Sequence, residues 1–487
     1  MTKANRYITL FLFLTLTCMP LQGLFNAKSA AFAIASQSFT TTTATGPYHE
    51  TKDKYIVTEK EKKKYKLIQV QVIHRHGDRS PITPMKDEKY WSGTLPPPTL
   101  LSKIAEGTTI KRSENAKENK HAAGGRGPFG KLTQLGLLQM VEVGTRIREE
   151  IHLEKENEEK LHFVDEEGHI HLQRGRLFTQ KYPLHPKRIR VQSTDFPRTL
   201  QSVQALLVGL FPDGLPEGSE VEIDARHTDL MIPDPQPRTS KEQARLERVL
   251  SQRQHLLDRE AELKGLAEKV SQVLKPFVGK DANSVNFGIG EEGDLKKKER
   301  ALSWSQLSEI MTCLKVRGML PESISTEEYE TATSHSAWKW FENLRHSKLA
   351  FLAMKPFMDF IMNTLHNGCD RSKSVLGNDD TTLLHIYSGH DSSLIGLMCA
   401  FRLQQPSEWP EYGSYLKVEL FEAEPINTQT TEEVVANEKE YLVRFSLNGN
   451  VLKSDWGLGE DEYLEAKNMI PLQHLDASIK REHDEYK

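Results

Sequence analysis

The sequence predicts an α/β fold, in which short buried strands alternate with amphipathic helices. Residues 67–73 and 383–387 are apolar runs of strand length, and each leads directly into a polar motif. After the second motif, Leu394, Leu397 and Met398 recur at the spacing of one helix face. Because open α/β sheets bind ligands beyond the carboxyl ends of their strands, both motifs lie where a binding site is expected.

The composition is that of an ordinary soluble globular protein. Of 487 residues, 37% are hydrophobic and 27% are charged, and the formal net charge is −4. This length suits one large domain or two. Since basic residues are not in excess, nucleic acid is not expected as a partner. Cysteines after residue 35 are too few for a disulfide framework.

The first residues have the features of a targeting segment. Lys3 and Arg6 precede an apolar run at residues 8–18, and the small residues Ala31 and Ala33 follow at the spacing that a signal peptidase recognises. We therefore expect residues 1–35 to be a signal peptide or another targeting segment. An uncleaved signal anchor is the alternative, and it would supply the only expected contact with a membrane.

Residues 36–65 are expected to be a linker. Residues 36–50 are rich in serine and threonine and carry no acid before Glu50, a composition that also suits a transit peptide. The expected location is the secretory pathway, lumenal or secreted. An organelle reached through the N-terminal segment is the alternative.

The first polar motif, residues 75–81, reads Arg-His-Gly-Asp-Arg-Ser-Pro. Arg75 and Arg79 can each offer a planar fork of donors to a phosphate dianion. His76 lies between them and could attack phosphorus, and Gly77 allows the backbone to come close. The motif predicts a phosphate pocket that contains its own nucleophile.

Two other interpretations of this motif are open from the residues alone. Basic loops with a histidine are often solvated surface. His74, His76 and Asp78 also alternate like the ligands of a hydrolase metal site. Arg75 and Arg79 would then surround the cation with positive charge, which disfavours the metal.

A further arginine, Arg198, lies at the start of a predicted helix. Residues 188–193 alternate like a strand, and Pro197 suits the first turn of the helix that follows. Thr194 or Asp195 is expected to cap that helix. Free backbone amides at a helix start favour an anion, so Arg198 is a candidate phosphate ligand, with a surface arginine as the alternative.

Two more elements complete a pattern. Residues 132–136 read Leu-Thr-Gln-Leu-Gly, and residues 388–391 read Ser-Gly-His-Asp. Together with residues 75–81 and Arg198-Thr199, they resemble the active-site elements of the histidine acid phosphatases, a branch of the histidine phosphatase superfamily. The resemblance implies a three-layer α/β/α sandwich core with a mainly helical cap.

The change of composition along the chain indicates how this core is divided. Residues 66–223 would form the first part of the core, and residues 376–487 the second part. An insertion at 82–130 contains three consecutive prolines and a glycine-rich piece, so we expect an irregular, mobile loop over the site.

Residues 224–375 would form the helical cap. Within it, residues 240–277 and 337–365 have the spacing of long amphipathic helices. Coiled-coil pairing is the alternative for the first of them, although Arg253 and Glu260 interrupt its apolar stripe.

For the chemistry, the resemblance implies a transfer in two steps through a phosphohistidine. His76 would displace the alcohol from phosphorus, and Asp391 would protonate the leaving oxygen and then assist the attacking water. The remaining ligands of the phosphoryl oxygens would be Arg75, Arg79, Arg198 and His390. No metal or other cofactor is implied. The substrate would be a small-molecule or lipid phosphate monoester.

Within the family, residues 190–212 and 409–421 look most like the lysophosphatidic acid phosphatases, and the xylose-phosphate phosphatases are also similar. Phytate is disfavoured because the expected cap carries many acids. A non-catalytic phosphate-binding protein on the same fold, or a phosphomutase-like member, is the alternative function. Asp78 is an acid beside an anion site, which is tolerable only if it points away or pairs with a base.

Overall fold

The computed structural model of the chain describes residues 63–112, 127–151, 162–164, 170–172, 177–178, 183–226, 231–233, 241–279, 301–373, 382–404, 406, 409–425, 439–456 and 469–486. The expected signal peptide and most of the expected linker lie outside these residues, as does most of the glycine-rich piece. In the described part of the chain, no helix has both the length and the apolar character needed to cross a bilayer.

The elements are named here in chain order. The strands are β1 (Lys63–Arg75), β2 (Thr108–Arg112), β3 (His162–Val164), β4 (Ile170–Leu172), β5 (Ile189–Thr194), β6 (Val221–Arg226), β7 (Leu384–Gly389), β8 (Tyr415–Pro425), β9 (Glu440–Leu447), β10 (Asn450–Leu452) and β11 (Met469–Pro471). The helices are α1 (Glu88–Gly93), α2 (Pro98–Ala105), α3 (Gln134–Ile151), α4 (Pro197–Leu210), α5 (Lys241–Leu250), α6 (Gln254–Glu262), α7 (Lys264–Leu274), α8 (Trp304–Lys315), α9 (Thr326–Leu344), α10 (Ser347–Lys373), α11 (Asp391–Ala400) and α12 (Leu472–Tyr486).

Within the described residues, one mixed sheet of nine strands has the order β10-β9-β8-β1-β7-β5-β6-β2, with β11 also paired to β9. Strand β1 runs parallel to β7 and antiparallel to β8. On the far side of β7, the strands β5, β6 and β2 are all parallel to their neighbours. The predicted strands at 67–73, 188–193 and 383–387 are confirmed, and β1 extends past the prediction at both ends.

The register of the parallel strands brings the sequence motifs together. Arg75 at the end of β1 is paired with Gly389 at the end of β7, and Ser388 of β7 is paired with Ser193 of β5. Each of these strands leads directly into one of the predicted motifs. Because adjacent parallel strands end at the same edge of a sheet, the segments after β1, β5 and β7 converge there.

Two apolar clusters, one on each face of the sheet, make the fold a three-layer α/β/α sandwich. Val72 and Ile386 contribute to the first cluster, together with side chains of α3 and α4. The next residues along the same strands, Ile73 and Tyr387, contribute to the second cluster with side chains of α10, α11 and α12. Successive strand residues point to opposite faces, so both faces are covered. The predicted sandwich is confirmed.

A third apolar cluster belongs to the cap. It is formed by α7, α8 and α9 together with Met85, Trp91 and Phe129 from the region of the expected insertion. Helix α10 lay within the expected cap, but its residues Phe357 and Ile361 are buried against the sheet. Packing therefore places the last helix of residues 224–375 in the core layer and part of residues 82–130 in the cap.

The expectation of an irregular loop at residues 82–130 was wrong for its described part. Helices α1 and α2 form there, and β2 is the edge strand of the main sheet, paired with β6. Of the three consecutive prolines, Pro98 occupies the first position of α2. Proline is favoured at that position because the missing N–H would have no partner in the helix.

The two long amphipathic helices are both interrupted. Residues 240–277 form α5, α6 and α7, and residues 337–365 belong to α9 and α10, which are separated at Arg345 and His346. Arg253, in the turn after α5, donates from Nη2 to the backbone oxygen of Glu342 at 2.7 Å. This contact ties the turn to α9, so short helices surround the cap core instead of one straight rod.

Helices α3 and α4 cross at backbone contact through two glycines. A Cβ atom on Gly144 would lie 2.0 Å from the backbone oxygen of Leu206, and one on Gly209 would lie 1.9 Å from that of Val141. Such distances leave no room for a side chain, so the two helices would have to separate. The crossing fixes α4, and hence Arg198 in its first turn, against the sheet.

We expect Gly144→Ala to lower the free energy of unfolding by at least the ~1–3 kcal/mol typical of overpacking, as measured by urea denaturation. Gly265→Ala in α7 is the matched control, because no atom lies within 4 Å of its added Cβ. Alanine is the better helix former, so the control should be neutral or stabilising by up to ~1 kcal/mol. Equal effects of the two substitutions would contradict the close crossing.

Candidate active site

The six predicted site residues converge at the carboxyl edge of the sheet. Arg75 contacts Asp391, Arg198 contacts His390, and the ring centroids of His76 and His390 are 5.6 Å apart. Arg79 is close enough to act electrostatically on His76 and on Arg198. Arg75 is the last residue of β1, and the other five belong to loops or helix starts after β1, β5 and β7. The structure therefore assembles the whole predicted set, although its elements lie far apart in sequence.

His76 is held in the neutral form, with the proton on Nδ1. Its backbone N–H donates to the oxygen of Gly389 at 3.1 Å, and its Nδ1 lies 2.8 Å from the backbone oxygen of Gly77. A carbonyl only accepts, so Nδ1 carries the proton and Nε2 keeps its lone pair. Burial lowers the pKa of His76 well below its usual value, and Arg198 and Arg75 lower it further. A neutral imidazole with an unprotonated Nε2 is the form that the predicted nucleophile requires.

The loop after β1 lies in direct backbone contact with the start of α3. A Cβ on Gly77 would be 2.2 Å from the oxygen of Gly136, and a Cβ on Gly136 would be 2.0 Å from the oxygen of Asp78. The Thr133 N–H donates to the same oxygen of Asp78 at 3.0 Å. These contacts give the Leu-Thr-x-x-Gly segment its role, which is to fix the backbone on which His76 is mounted.

Asp391 opens helix α11 and is paired with Arg75. Its Oδ2 lies 2.8 Å from Arg75 Nη2 and accepts from Trp409 Nε1 at 2.9 Å, while its Oδ1 accepts from the Ser392 N–H at 2.8 Å. Burial favours the neutral carboxyl, but Arg75 and then Trp409 outweigh it and lower the pKa of Asp391. Without substrate, the predicted general acid is therefore ionised.

Arg75 is restrained on three sides. Besides Asp391, its Nη1 donates to the backbone oxygen of Pro410 at 2.5 Å, and the Tyr412 ring centroid lies 4.1 Å from its guanidinium carbon. Its backbone N–H donates to Ser414 at 2.8 Å. Segment 409–414 thus forms one wall of the site, and Tyr412 also lies beside the ring of His76.

Arg198 lies in the first turn of α4, as predicted, but the expected cap is absent. Phe196 occupies the N-cap position without a side-chain hydrogen bond. Asp195 instead accepts from Arg112 Nε at 3.0 Å, and Thr194 Oγ1 lies 3.0 Å from both Thr199 Oγ1 and His390 Nε2. The cap prediction was wrong: Phe196 is the N-cap residue, Asp195 binds Arg112, and the Thr194 hydroxyl binds side chains instead of a backbone N–H of the first turn.

Arg198 and His390 are neighbours whose pKa values are lowered. Arg198 Nη2 lies 3.5 Å from His390 Nδ1, and the guanidinium lies over the Phe196 ring. Burial and the charge of Arg79 lower the pKa of Arg198 to about 9. Burial and the charge of Arg198 lower the pKa of His390 well below its usual value. Positive charge is in excess here, which is the property of a site for a dianion.

Asp78 and Arg79 point toward the cap. Arg317 Nη2 lies 2.6 Å from Asp78 Oδ2, and Arg79 Nη1 lies 2.7 Å from Glu309 Oε1. Thr133 Oγ1 also donates to Asp78, at 2.5 Å. The acid beside the anion site is therefore paired with a base, Arg317 of the cap, as the sequence required.

The described residues contain no cluster of three or more His, Cys, Asp or Glu side chains with the geometry to hold a metal ion. Of the three residues in the metal interpretation, His74, His76 and Asp78, two have partners of a different kind. Asp78 is paired with Arg317, and His74 is fully buried with Nδ1 at 3.0 Å from the oxygen of Arg75. The residues of the metal interpretation therefore do not converge.

A family model described as "Histidine phosphatase superfamily (branch 2)" matches residues 66–448. The chain belongs to this family. It is a phosphoric monoester hydrolase of the histidine acid phosphatase type, as the resemblance of the motifs implied.

Two relatives and one solved structure show how distant the similarity is. Counting factor 60 of Dictyostelium discoideum is 23% identical over 414 residues, covering 79% of this chain and 80% of that one. Lysophosphatidic acid phosphatase type 6 of Bos taurus is 23% identical over 370 residues, covering 73% and 74%. The phytase of Citrobacter braakii superposes with a TM-score of 0.50 at 18% identity, covering 86% of this chain and 98% of that one, and shows the shared fold.

In this histidine acid phosphatase, four residues at the site were not predicted from the sequence. Trp409 and Tyr412 come from the approach to β8, and Glu309 and Arg317 come from the cap. For the two cap residues, the sequence contains one indication. Glu309, Cys313 and Arg317 are spaced four residues apart, which places them on one face of a helix.

Proposed function

We propose that this phosphatase transfers the phosphoryl group of a monoester to Nε2 of His76 and then to water. The observation that carries the proposal is the state of His76, whose Nδ1 proton is bound by the oxygen of Gly77 while three arginines surround it. A neutral imidazole with a directed lone pair is a nucleophile, and the arginines supply the charge that draws a phosphate dianion to it.

In the first step, Nε2 forms a bond to phosphorus as the bond from phosphorus to the alcohol oxygen breaks. Arg75, Arg79, Arg198 and His390 would bind the phosphoryl oxygens in the transition state. Asp391 would donate its proton to the leaving oxygen. The products are the free alcohol and a phosphohistidine.

The proton on Asp391 needs an explanation, because Arg75 and Trp409 hold this carboxyl in its ionised form without substrate. An arriving phosphate dianion competes with Asp391 for Arg75 and adds negative charge beside it. Both effects raise the pKa of the carboxyl. We propose that Asp391 takes up its proton as the substrate binds.

In the second step, water attacks the phosphohistidine, and the bond from phosphorus to Nε2 breaks. Asp391, now a carboxylate, accepts a proton from the attacking water. Inorganic phosphate then leaves, and Asp391 returns to Arg75. One carboxyl group thus serves as acid in the first step and as base in the second.

For the substrate, we propose a monoester whose alcohol carries an apolar portion, of which a lysophosphatidic acid is an example. Trp409 donates to the same Asp391 oxygen that would face the leaving group. The Trp340 ring of the cap helix α9 meets Trp409 edge-on, with centroids 5.7 Å apart. Both rings are half-buried. The relatives named lysophosphatidic acid phosphatase support the same choice.

We expect His76→Ala to abolish phosphatase activity, because no nucleophile would remain within the arginine site. Rapid-quench trapping with a ³²P-labelled substrate should give an acid-labile phosphohistidine in the native enzyme and none in the variant. His366→Ala, which removes an exposed histidine paired with Asp476, is the control and should keep the label. A folded His76→Ala enzyme with native turnover would disprove the mechanism.

We expect Asp391→Asn to slow the first step by about 10²–10⁴-fold for an alkyl phosphate, because that leaving oxygen needs a proton. An aryl phosphate with a good leaving group should be slowed much less. The rate of phosphohistidine formation gives the comparison, and Asp359→Asn on the exposed side of α10 is the control. Equal slowing for the two substrates would mean that Asp391 only positions phosphate.

The substrate class can be tested with a panel of lysophosphatidate, xylose phosphate and phytate. We expect the highest kcat/KM for lysophosphatidate. Trp340→Ala should raise its KM more than that of xylose phosphate, because the variant removes part of the apolar wall. Trp338→Ala on the same helix, which stacks on His335 within the cap, is the matched control. A preference for xylose phosphate or phytate that Trp340→Ala does not alter would refute the apolar choice.

A further inference from the structure

Helix α8 and the turn after it present one stripe of residues to the loop that carries the nucleophile. Glu309, Cys313 and Arg317 follow at intervals of four, and each contacts the segment Asp78–Thr83. The opposite side of α8, including Leu307 and Met311, is buried in the apolar cluster of the cap. Helix α8 therefore lies between the apolar core of the cap and the loop Asp78–Thr83.

The first contact is an ion pair on a proposed phosphate ligand. Arg79 Nη1 lies 2.7 Å from Glu309 Oε1, and each side chain is only 6% exposed. The Glu309 carboxylate also accepts from the backbone N–H groups of Ile82 and Thr83. Three donors from one loop thus hold Glu309, and Glu309 in turn fixes the direction of the Arg79 guanidinium.

The second contact is an ion pair in which the charges of cap and loop are exchanged. Here the cap supplies the cation, Arg317, and the loop supplies the anion, Asp78, at 2.6 Å. Asp78 is fully buried and Arg317 is 9% exposed. Arg317 Nη1 also donates to the Cys313 backbone oxygen at 2.8 Å, so the guanidinium is anchored on its own helix.

Between the two pairs, the thiol of Cys313 lies 3.6 Å from the backbone oxygen of Arg79. A shift of α8 by one turn would place Cys313 where a charged residue now lies and would separate both pairs. Asp78 and Arg79 would then be buried charges without their partners, which is a costly arrangement. The two pairs therefore set a single position of the cap helix on the loop.

We propose that Glu309 and Arg317 are positioning residues of the reaction, through which the cap fixes Arg79 and the backbone that follows His76. Glu309 also places a negative charge beside the anion site, which weakens phosphate binding and favours release of the product. The inference rests on the proposed function in one respect, that Arg79 binds the phosphoryl group. Neither residue touches the reacting atoms, so both act through Arg79 and Asp78.

The test compares Glu309→Gln with Glu309→Ala, with Glu327→Gln on the exposed start of α9 as the matched control. The amide of Glu309→Gln can still accept from Arg79 but carries no charge. It should bind inorganic phosphate several-fold more tightly, measured as a lower inhibition constant, and should lose less kcat than Glu309→Ala. Glu309→Ala loses the orientation of Arg79, and its kcat should fall by about 10–100-fold, the range that a small misplacement of a catalytic group causes.

The second pair is tested with Arg317→Met, Arg317→Lys and Asp78→Asn. Arg317→Met leaves the buried Asp78 charge without its cation, so kcat should fall more than in Asp78→Asn. The double variant of Arg317→Met with Asp78→Asn should recover part of the loss, because the unpaired charge is gone. Arg317→Lys should retain more activity than Arg317→Met.

Separate readouts distinguish positioning from stability alone. If Glu309→Gln changed the inhibition constant of phosphate no more than Glu327→Gln, and every loss of kcat followed a lowered melting temperature, the proposal would be overturned while the phosphohistidine mechanism stood. If the native enzyme neither bound phosphate nor turned over any monoester, both would fall. Should Glu309→Ala not fold, the Gln variant and Arg317→Lys decide the matter.

Discussion

Three guanidinium groups are buried at one edge of the sheet, and the repulsion between them constrains everything placed around them. Each therefore has a protein acceptor: Asp391 for Arg75, Glu309 for Arg79, and the backbone oxygen of Gly130 at 3.4 Å for Arg198. The two histidines of the site have lowered pKa values and add no charge near neutral pH. The site keeps the arginines charged and close by giving each a partner.

This charge balance bears directly on the proton of Asp391. Three buried arginines and the carboxylates of Asp391 and Glu309 leave one excess positive charge at the site. A phosphate dianion reverses the sign of that excess, and a single proton on Asp391 restores neutrality. In the proposed mechanism, Asp391 is the carboxyl group that loses a partner, because the phosphate competes with it for Arg75. In the proposed mechanism, the interaction that keeps Asp391 ionised in the free enzyme also makes it the group that takes up a proton when substrate binds.

Much of the core could be predicted from the sequence because its determinants are local. A strand-length apolar run fixes a buried strand, and a motif directly after it must lie at the carboxyl edge, whatever the order of the strands. The segments of His76 and His390 could thus be placed at the carboxyl ends of their strands without knowing which strands are neighbours, and the family resemblance assigned both to one site. Predictions from local sequence failed where a distant residue competes for the same side chain. Asp195 is a good cap by type, but Arg112, on a strand hidden in a region dominated by proline signals, binds it instead.

The contacts of the cap with the nucleophile loop could not be found by the same means. The chain has 68 acidic residues, and nothing local identifies Glu309 as the partner of Arg79 across 230 positions. The stripe Glu309, Cys313, Arg317 becomes informative only when the other side of α8 is known to be buried as well. A helix with an apolar face in one core and a buried charged face opposite must lie against a second, charged surface. The loop of Asp78 and Arg79 offers α8 both an acid and a base, so the buried Arg79 also contributes to where the cap docks.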